Sequence, residues 1–241
     1  MFSGFQPLQT VGNGGWVGRS SATANMTVPQ DLKTSQDWIS RVQKYAHQHR
    51  TVDHPFSMDG AALIVIDMQR YFTDPSSHAS FPEADAIVWN VQLILAAFRE
   101  RGLPVIFTRH ALARGEDPGR MSDWWGENIT IENPLSAIDE RLRPLANEEV
   151  VRKTRYSAFV GTGLERILER LEITRVVIVG VMTHLCCEST ARDAFMRDHE
   201  VFFIVDATAT KDEELHLGSL RALADGFALL ATTREVIGWM K

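Results

Sequence analysis

Two adjacent cysteines are the residues of this sequence with the clearest capacity for chemistry. Cys186 and Cys187 lie in the stretch GVMTHLCCEST, residues 180–190, and they are the only cysteines in the chain of 241 residues. An aliphatic run precedes them, and their surroundings are typical of a helix start. A disulfide between sequence neighbours would strain the peptide bond that joins them, so we expect two thiols. A thiolate at a helix N-terminus is a candidate nucleophile.

A carboxylate and an ammonium group complete the set that such a thiol needs. Asp67 ends the run AALIVID, and Lys153 ends the run EEVVRK. Taken singly, these residue types have plainer interpretations: an aspartate after a strand often caps a helix, a lysine is usually a solvated charge, and a cysteine is usually a small buried apolar residue. We expect that last role for Cys187. Together, a lysine can lower the pKa of the Cys186 thiol and an aspartate can accept its proton.

The elements that would bring these residues together form an alternation of strands and helices. Short aliphatic runs predict six strands, at residues 61–67, 103–110, 148–153, 175–181, 200–207 and 227–232. Helical segments are predicted between them, at residues 86–102, 135–145, 161–173, 186–198 and 213–226. Continuous Val, Ile and Leu runs are typical of strands buried on both faces, so we predict an α/β fold with three α/β/α layers and a mostly parallel sheet. The carboxyl ends of such strands share one edge, where ligands bind.

Composition favours a small molecule as the partner. With 44% hydrophobic and 23% charged residues, the chain has the content of a globular domain with a full core. Its net charge of -6 gives no broad attraction to nucleic acid or to an anionic membrane, so we expect neither as a partner. Residues 1–30 lack the features of a signal peptide, and no apolar run has the length of a membrane span, so we expect a cytoplasmic location.

The N-terminal part differs in composition from the rest. Residues 1–30 are rich in Gly, Ser, Thr and Asn without apolar periodicity, which indicates a loosely packed arm. An amphipathic helix is predicted to follow, and we expect it to serve in packing, with a second subunit as one candidate surface. Its apolar face would consist of Trp38, Ile39, Val42 and Tyr45. We therefore divide the chain into an N-terminal arm with its helix, residues 1–58, and a main domain, residues 59–241.

Three motifs, LIVIDMQRYF, KTRYSAF and GVMTHLCCESTARDAF, occur in this order along the chain. They resemble the motifs of the isochorismatase-like hydrolases, a superfamily that includes nicotinamidases, N-carbamoylsarcosine amidases and isochorismatases proper. The resemblance covers about residues 60–235. It implies a six-stranded, Rossmann-like parallel sheet and an Asp-Lys-Cys triad made of the three residues singled out above. It also implies a cis peptide bond between Val181 and Met182, which would aim backbone N–H groups at an oxyanion.

The motifs also separate the subgroups of this superfamily. Nicotinamidases share a D-x-H metal motif after the second strand, but here His110 has no aspartate two residues before it. We therefore expect no metal ion and no cofactor. Isochorismatases proper share the K-x-R-Y-S-A-F motif, a histidine at the position of His184, and an aromatic loop similar to GRMSDWWGE. They have glycine, however, where this chain has Cys186.

These observations favour a cysteine hydrolase that cleaves a C–N amide-type bond of a small molecule through a thioester. In the main alternative, the enzyme cleaves a vinyl ether as isochorismatases do, with Asp67 as general acid and Cys186 only lining the pocket. A binding module without activity would require the triad to be vestigial. The residues expected to contact substrate are Gln69, Phe72, His110, Arg120, Trp124, Trp125, Tyr156 and His184. An arginine in this set would suit a carboxylate on the substrate, and we expect a homodimer or homotetramer.

Overall fold

The computed structural model describes residues 32–46 and 56–240. The arm predicted at residues 1–30 lies outside the described residues. Among the helices of the described part, none combines the length and the apolar composition that crossing a membrane requires.

A six-stranded sheet forms the centre of the described part of the chain. Its strands are β1 (Ala61–Ile66), β2 (Val105–His110), β3 (Glu149–Lys153), β4 (Arg175–Val181), β5 (Glu200–Ala209) and β6 (Leu229–Ala231). Their order is β3-β2-β1-β4-β5-β6, and every neighbouring pair is parallel. Every residue of β1 is buried, as its continuous aliphatic run predicts. The predicted six strands and the parallel sheet are confirmed.

Helices cover both faces of this sheet. They are α1 (Leu32–Val42), α2 (Arg70–Thr73), α3 (Pro82–Ala86), α4 (Val88–Glu100), α5 (Arg120–Trp125), α6 (Leu164–Arg170), α7 (Glu188–Phe195), α8 (Glu213–Gly226) and α9 (Thr233–Trp239). Side chains alternate along β1, so Leu63 and Val65 join one core with α4. Ala62, Ile64 and Ile66 join a second core with α6, α7 and α8. The two cores make the three layers that the sequence predicts.

The predicted N-terminal helix is present as α1, and it packs on the same chain. Trp38 and Val42 are buried, and α1 contacts α8 and β5. The indole Nε1 of Trp38 donates to Glu213 Oε1 at the start of α8, at 3.1 Å. Tyr45 departs from the prediction, because it lies in a short 3-10 turn after the helix and is exposed. The apolar face of α1 is therefore covered by the main domain of its own chain.

The connection between β2 and β3 differs from the prediction. A helix is predicted at residues 135–145, but the structure has two short 3-10 turns there, Pro134–Ser136 and Glu140–Leu142. Asp139 accounts for the interruption, because its carboxylate accepts hydrogen bonds from the backbone N–H of Arg141, at 3.0 Å, and from the Arg141 guanidinium, at 2.9 Å. Such local bonds from a side chain to the nearby backbone compete with helix continuation.

Helix α9 is not among the predicted elements, although the sequence carries a signal for it. The side chain of Thr232 accepts a hydrogen bond from the backbone N–H of Glu235, at 3.2 Å, and the Glu235 carboxylate accepts one from the N–H of Thr232, at 2.7 Å. This reciprocal pair is a capping box, and the pattern T-x-x-E before an apolar segment is its mark in a sequence.

The close approach of β1 and β4 depends on Gly180. This residue has a φ of 117° and is paired with Ile66 of β1. A Cβ atom at this position would lie 2.1 Å from the carbonyl oxygen of Ile66, so no side chain fits. The strand order reverses between these two strands, which is where ligands bind in doubly wound sheets. Gly180 therefore sets the separation of the two strands on either side of the expected ligand site.

We predict that Gly180→Ala lowers the free energy of unfolding by about 3 kcal/mol or more, because it combines a backbone clash with an unfavourable φ. Urea denaturation measures this change. Gly218→Ala is the matched control: Gly218 lies inside α8, and a Cβ there would have no neighbour within 4 Å. The control should gain roughly 0.5–1 kcal/mol. A Gly180→Ala variant as stable as the wild type would contradict the role of this glycine.

Candidate active site

Asp67 follows β1 directly and is held by the neighbouring strand. Its backbone has a φ of 47°, and its side chain is fully buried. Thr108 of β2 donates its hydroxyl to Asp67 Oδ1 at 2.6 Å, and the backbone N–H of Asp67 donates to the same hydroxyl oxygen at 3.0 Å. One threonine thus fixes both the backbone and one carboxylate oxygen, and the second oxygen is directed to another partner.

That partner is Lys153, the last residue of β3. Its ammonium Nζ lies 2.7 Å from Asp67 Oδ2, donates to the carbonyl oxygen of Arg155 at 2.9 Å, and lies 3.3 Å from Cys186 Sγ. The contacts to Arg155 and Cys186 have hydrogen-bond geometry, and the contact to Asp67 is an ion pair. Burial alone would lower the pKa of Lys153, but its interactions with the carboxylate of Asp67 and with Cys186 more than offset this effect and raise it. Lys153 is therefore a buried cation, and its Nζ contacts both the carboxylate and the thiol.

Cys186 lies in a π-helical turn, Thr183–Cys187, that leads from β4 into α7. Burial is the main cause that raises the pKa of its thiol to about 12, and Asp67 adds to the effect, while Lys153 opposes it. Lys153 lowers the pKa of this thiol, as expected, but burial and Asp67 outweigh it in the resting site. The thiol keeps its proton until a base removes it, and the carboxylate of Asp67 faces the same ammonium group. Cys187 is fully buried in the core beneath the turn.

Backbone geometry fixes the start of this turn. The peptide bond between Val181 and Met182 is cis. The carbonyl oxygen of Met182 then accepts hydrogen bonds from the backbone N–H groups of Leu185, at 3.1 Å, and Cys187, at 3.2 Å. The two amides next to Cys186 in sequence are therefore directed to the backbone of the turn.

A cavity of about 510 Å³ opens above these residues. Asp67 and Cys186 line it together with His110, and much of the remaining wall is aromatic or aliphatic. The larger apolar and aromatic wall residues are Tyr71, Phe72, Met121, Trp125, Ile129, Tyr156, Met182 and Leu185. Two exposed residues of opposite charge, Glu127 and Lys211, also line the cavity. Four of the predicted substrate contacts, namely Phe72, His110, Trp125 and Tyr156, are thus part of its wall.

His110 lines the cavity, and its imidazole ring is neutral. Burial, with a further contribution from the charge of Lys153, lowers the pKa of His110 to about 4. Its backbone is clamped by the side chain of Gln69, whose Oε1 accepts from the His110 N–H at 2.8 Å and whose Nε2 donates to the His110 carbonyl at 3.0 Å. Gln69, a predicted substrate contact, is itself fully buried and is not part of the cavity wall. Gln69 instead holds His110, which is part of the cavity wall.

Helix α5 separates the large side chains of its segment into two faces. Met121 and Trp125 are four positions apart and line the cavity, and the Trp125 indole donates to the hydroxyl of Tyr156 at 2.8 Å. Arg120 and Trp124 lie outside the wall, with the Arg120 side chain 97% exposed and paired with Asp123. The predicted pocket roles of Arg120 and Trp124 therefore find no support in this geometry, because the helical period turns both toward solvent.

His184 also lies outside the cavity wall. Its Nδ1 is 3.0 Å from the hydroxyl of Thr210, which follows β5. Burial is the main cause that lowers the pKa of His184. This histidine therefore ties the turn to the neighbouring strand end rather than to the cavity.

Several residues of the site carry no strong sequence signal. They are Thr108, Met121, Glu127 and Tyr71. The hydroxyl of Tyr71 donates to Glu127 Oε1 at 2.7 Å at the cavity mouth, and His78 also pairs with Glu127 there. Thr108 could have been found, because it lies near the end of a buried strand next to the one that precedes Asp67. The others lie in segments whose mutual positions no periodicity predicts.

The surroundings of His110 bear on the question of metal ligands. The position two residues before His110 is Thr108, whose hydroxyl is bound to Asp67. Across residues 32–46 and 56–240, no group of three or more His, Cys, Asp or Glu side chains is arranged to hold a metal ion.

Comparison with known proteins places this site in a family. The model of the Isochorismatase domain matches residues 61–235. Nicotinamidase 3 of Arabidopsis thaliana is 40% identical over 173 residues, which cover 70% of this chain and 83% of that protein. A probable isochorismatase of Pseudomonas chlororaphis is 30% identical over 216 residues, which cover 87% of this chain and 96% of that protein.

A solved structure leads to the same family. The cysteine hydrolase from Pseudomonas syringae pv. phaseolicola superimposes with a TM-score of 0.76 at 29% identity, over 80% of this chain and 98% of that chain. The region that the family model matches contains all six strands and the residues around Asp67, Lys153 and Cys186. The chain belongs to the isochorismatase family and is a hydrolase of that family.

Proposed function

We propose that this hydrolase cleaves a C–N amide-type bond of a small molecule through a thioester on Cys186. The observation that carries the proposal is the position of the Lys153 ammonium, 2.7 Å from the Asp67 carboxylate and 3.3 Å from the Cys186 sulfur, where Asp67 and Cys186 line a cavity. A base, a cation and a thiol in contact are the groups that nucleophilic acyl transfer needs. A glycine in place of Cys186 would leave the other two groups without a nucleophile.

The proposed reaction begins with the thiol in its protonated form. Asp67 takes the proton as the sulfur of Cys186 attacks the carbonyl carbon, and Lys153 stabilises the negative charge on the sulfur. The backbone N–H groups of Met182 and Cys186 are proposed to donate to the oxyanion. Collapse of the tetrahedral intermediate breaks the C–N bond, and the amine leaves with the proton from Asp67. Water, activated by Asp67, then hydrolyses the thioester to the carboxylic acid and restores the thiol.

The relatives support this interpretation of the site. The nicotinamidase of Arabidopsis thaliana is named for hydrolysis of an amide, and the solved structure from Pseudomonas syringae is described as a cysteine hydrolase. The aromatic wall suits a substrate with a flat apolar part. A carboxylate on the substrate would meet Lys211 rather than Arg120, because only the lysine lines the cavity.

A second candidate is cleavage of a vinyl ether with Asp67 as general acid. The similarity to a probable isochorismatase over 96% of that protein favours it, and Tyr156 of the KTRYSAF motif lines the cavity. Protonation of an ether requires no bond to sulfur, so in this scheme Cys186 only contributes to the wall. The two candidates therefore make opposite predictions for that residue.

We predict that Cys186→Ala abolishes turnover, whereas Cys187→Ala retains most of it, because Cys187 is fully buried in the core and only Cys186 lines the cavity. Ammonia or pyruvate release from a panel of primary amides, ureido acids and isochorismate measures the activity. Equal loss in both variants, accompanied by a lower melting temperature, would point to a packing defect instead of a lost nucleophile.

Lys153→Arg should reduce kcat by about a hundredfold or more, although it preserves the charge. Arginine is bulkier and planar, so it cannot reproduce three contacts made by one nitrogen in a closed site, and a displacement of about 1 Å is enough for such a loss. Steady-state kinetics measures the loss, and circular dichroism shows whether the fold persists. Near-normal activity in the folded variant would remove Lys153 from the mechanism.

The thioester itself distinguishes the two candidate reactions. Rapid quench during turnover, followed by mass spectrometry, should reveal an acyl adduct on Cys186, and hydroxylamine should convert it to a hydroxamate. Neither product should form in Cys186→Ser or Cys186→Ala. If Cys186→Gly keeps full activity on an enol ether and no adduct is trapped, the vinyl-ether reaction replaces the amide reaction.

A further inference from the structure

A buried histidine outside the cavity contacts the turn that carries Cys186. His216 lies on α8, is 3% exposed, and is not part of the cavity wall. Its Nδ1 is 2.9 Å from the hydroxyl oxygen of Thr183, the first residue of the π-helical turn. Burial lowers the pKa of His216 to about 4, so the ring is neutral and retains one donor and one acceptor nitrogen. The proposed reaction makes no use of this group.

The N-terminal helix makes a second contact with the same ring. The ring centroids of Trp38 and His216 are 4.6 Å apart, with an interplanar angle of 53°. Trp38 is itself anchored, because its Nε1 donates to Glu213 Oε1, which also accepts a hydrogen bond from Arg41 at 3.0 Å. The imidazole of His216 therefore contacts both α1, through Trp38, and the turn, through Thr183.

The turn is held from its other side by a second threonine. The hydroxyl of Thr190 donates to the carbonyl oxygen of Cys186 at 2.7 Å and accepts from the backbone N–H of Ala158 at 3.0 Å. Thr183 and Thr190 thus hold opposite ends of the segment that carries the thiol. The Thr190 contact connects this segment to the chain after Lys153, and the Thr183 contact connects it to α8 and, through His216, to α1.

We propose that His216, backed by Trp38, is a positioning residue for Cys186. The inference rests on the proposed function, since it takes Cys186 as the nucleophile. By fixing Thr183, the histidine sets where the turn begins and hence the distance from Sγ to the Lys153 ammonium. Residues 32–46 lie outside the region that the family model matches, so the N-terminal helix supplies support for the site from beyond the common domain.

The test measures the reactivity of the thiol and turnover separately. All variants are made in a Cys187→Ala background, which leaves Cys186 as the single cysteine of the chain. The rate of alkylation by iodoacetamide at one fixed pH reports on the environment of the thiol without any substrate, and kcat and KM are measured on the best substrate of the panel. The two readouts keep this proposal separate from the proposed function, because alkylation can be measured even if Cys186 proves not to be the nucleophile.

Removing either contact of the His216 ring should lower the reactivity of the Cys186 thiol without weakening substrate binding. We expect His216→Phe, which removes the bond to Thr183, and Trp38→Ala, which removes the backing, to lower both the alkylation rate and kcat by about tenfold or more, with KM within about twofold. His216→Asn can restore a hydrogen bond to Thr183 and should recover most of the loss. Val42→Ala is the control, because it removes a buried side chain of α1 and leaves the Trp38 ring in place; both rates should stay within about twofold.

Thr183→Val covers the case in which His216→Phe fails to fold, because it removes the same hydrogen bond from the other partner. Where both variants fold, a double-mutant cycle should show that their effects do not add, since a single contact is lost in both. Unchanged alkylation and kcat in folded His216→Phe or Thr183→Val would overturn the proposal. An equal loss in Val42→Ala and Trp38→Ala would do the same, because it would make the effect one of general helix packing.

Discussion

The buried ion pair between Asp67 and Lys153 is the constraint on which the rest of the site depends. Both side chains have no exposure to solvent, and an unpaired charge in such a place would cost several kcal/mol. The pair is tolerated because each member has further partners, the hydroxyl of Thr108 for the carboxylate and the carbonyl of Arg155 for the ammonium. Since these groups come from β1, β2 and the end of β3, the three strands must finish at matching heights.

The same pair determines the state of the thiol. Lys153 attracts a negative charge onto Cys186 and Asp67 repels it, while burial opposes ionisation, so the pKa of the thiol is raised rather than lowered. In the resting site the charges therefore lie on Asp67 and Lys153, and the Cys186 thiol is neutral. In the proposed reaction a proton moves over a short path from sulfur to carboxylate only when substrate is present to accept the electron pair.

Sequence predicts the frame of this molecule well, for physical reasons that also explain where it fails. Strands buried on both faces have continuous aliphatic runs, and parallel strands share one edge, so sequence alone is enough to bring Asp67, Lys153 and Cys186 together. No comparable rule predicts the conformation of loops from their sequence. The connection from β2 to β3 has the composition of a helix, yet Asp139 binds Arg141 locally and interrupts it. A motif shows that the residues of α5 lie near the cavity, but it does not show which face of the helix each side chain occupies. For this reason the sequence prediction includes Arg120, which the structure leaves exposed.

Helix α5 has consequences for how this fold can diversify. None of its residues is buried, and it is bounded by Gly119 and Gly126, both with positive φ. Substitutions in a segment that adds so little to the core usually change stability by less than about 0.5 kcal/mol. The base of the cavity lacks this freedom, because it is built from strand ends inside the core. Mutational tolerance is therefore expected on the part of the cavity wall that α5 supplies, so under the proposed function new specificities could arise there while Asp67, Lys153 and Cys186 stay unchanged.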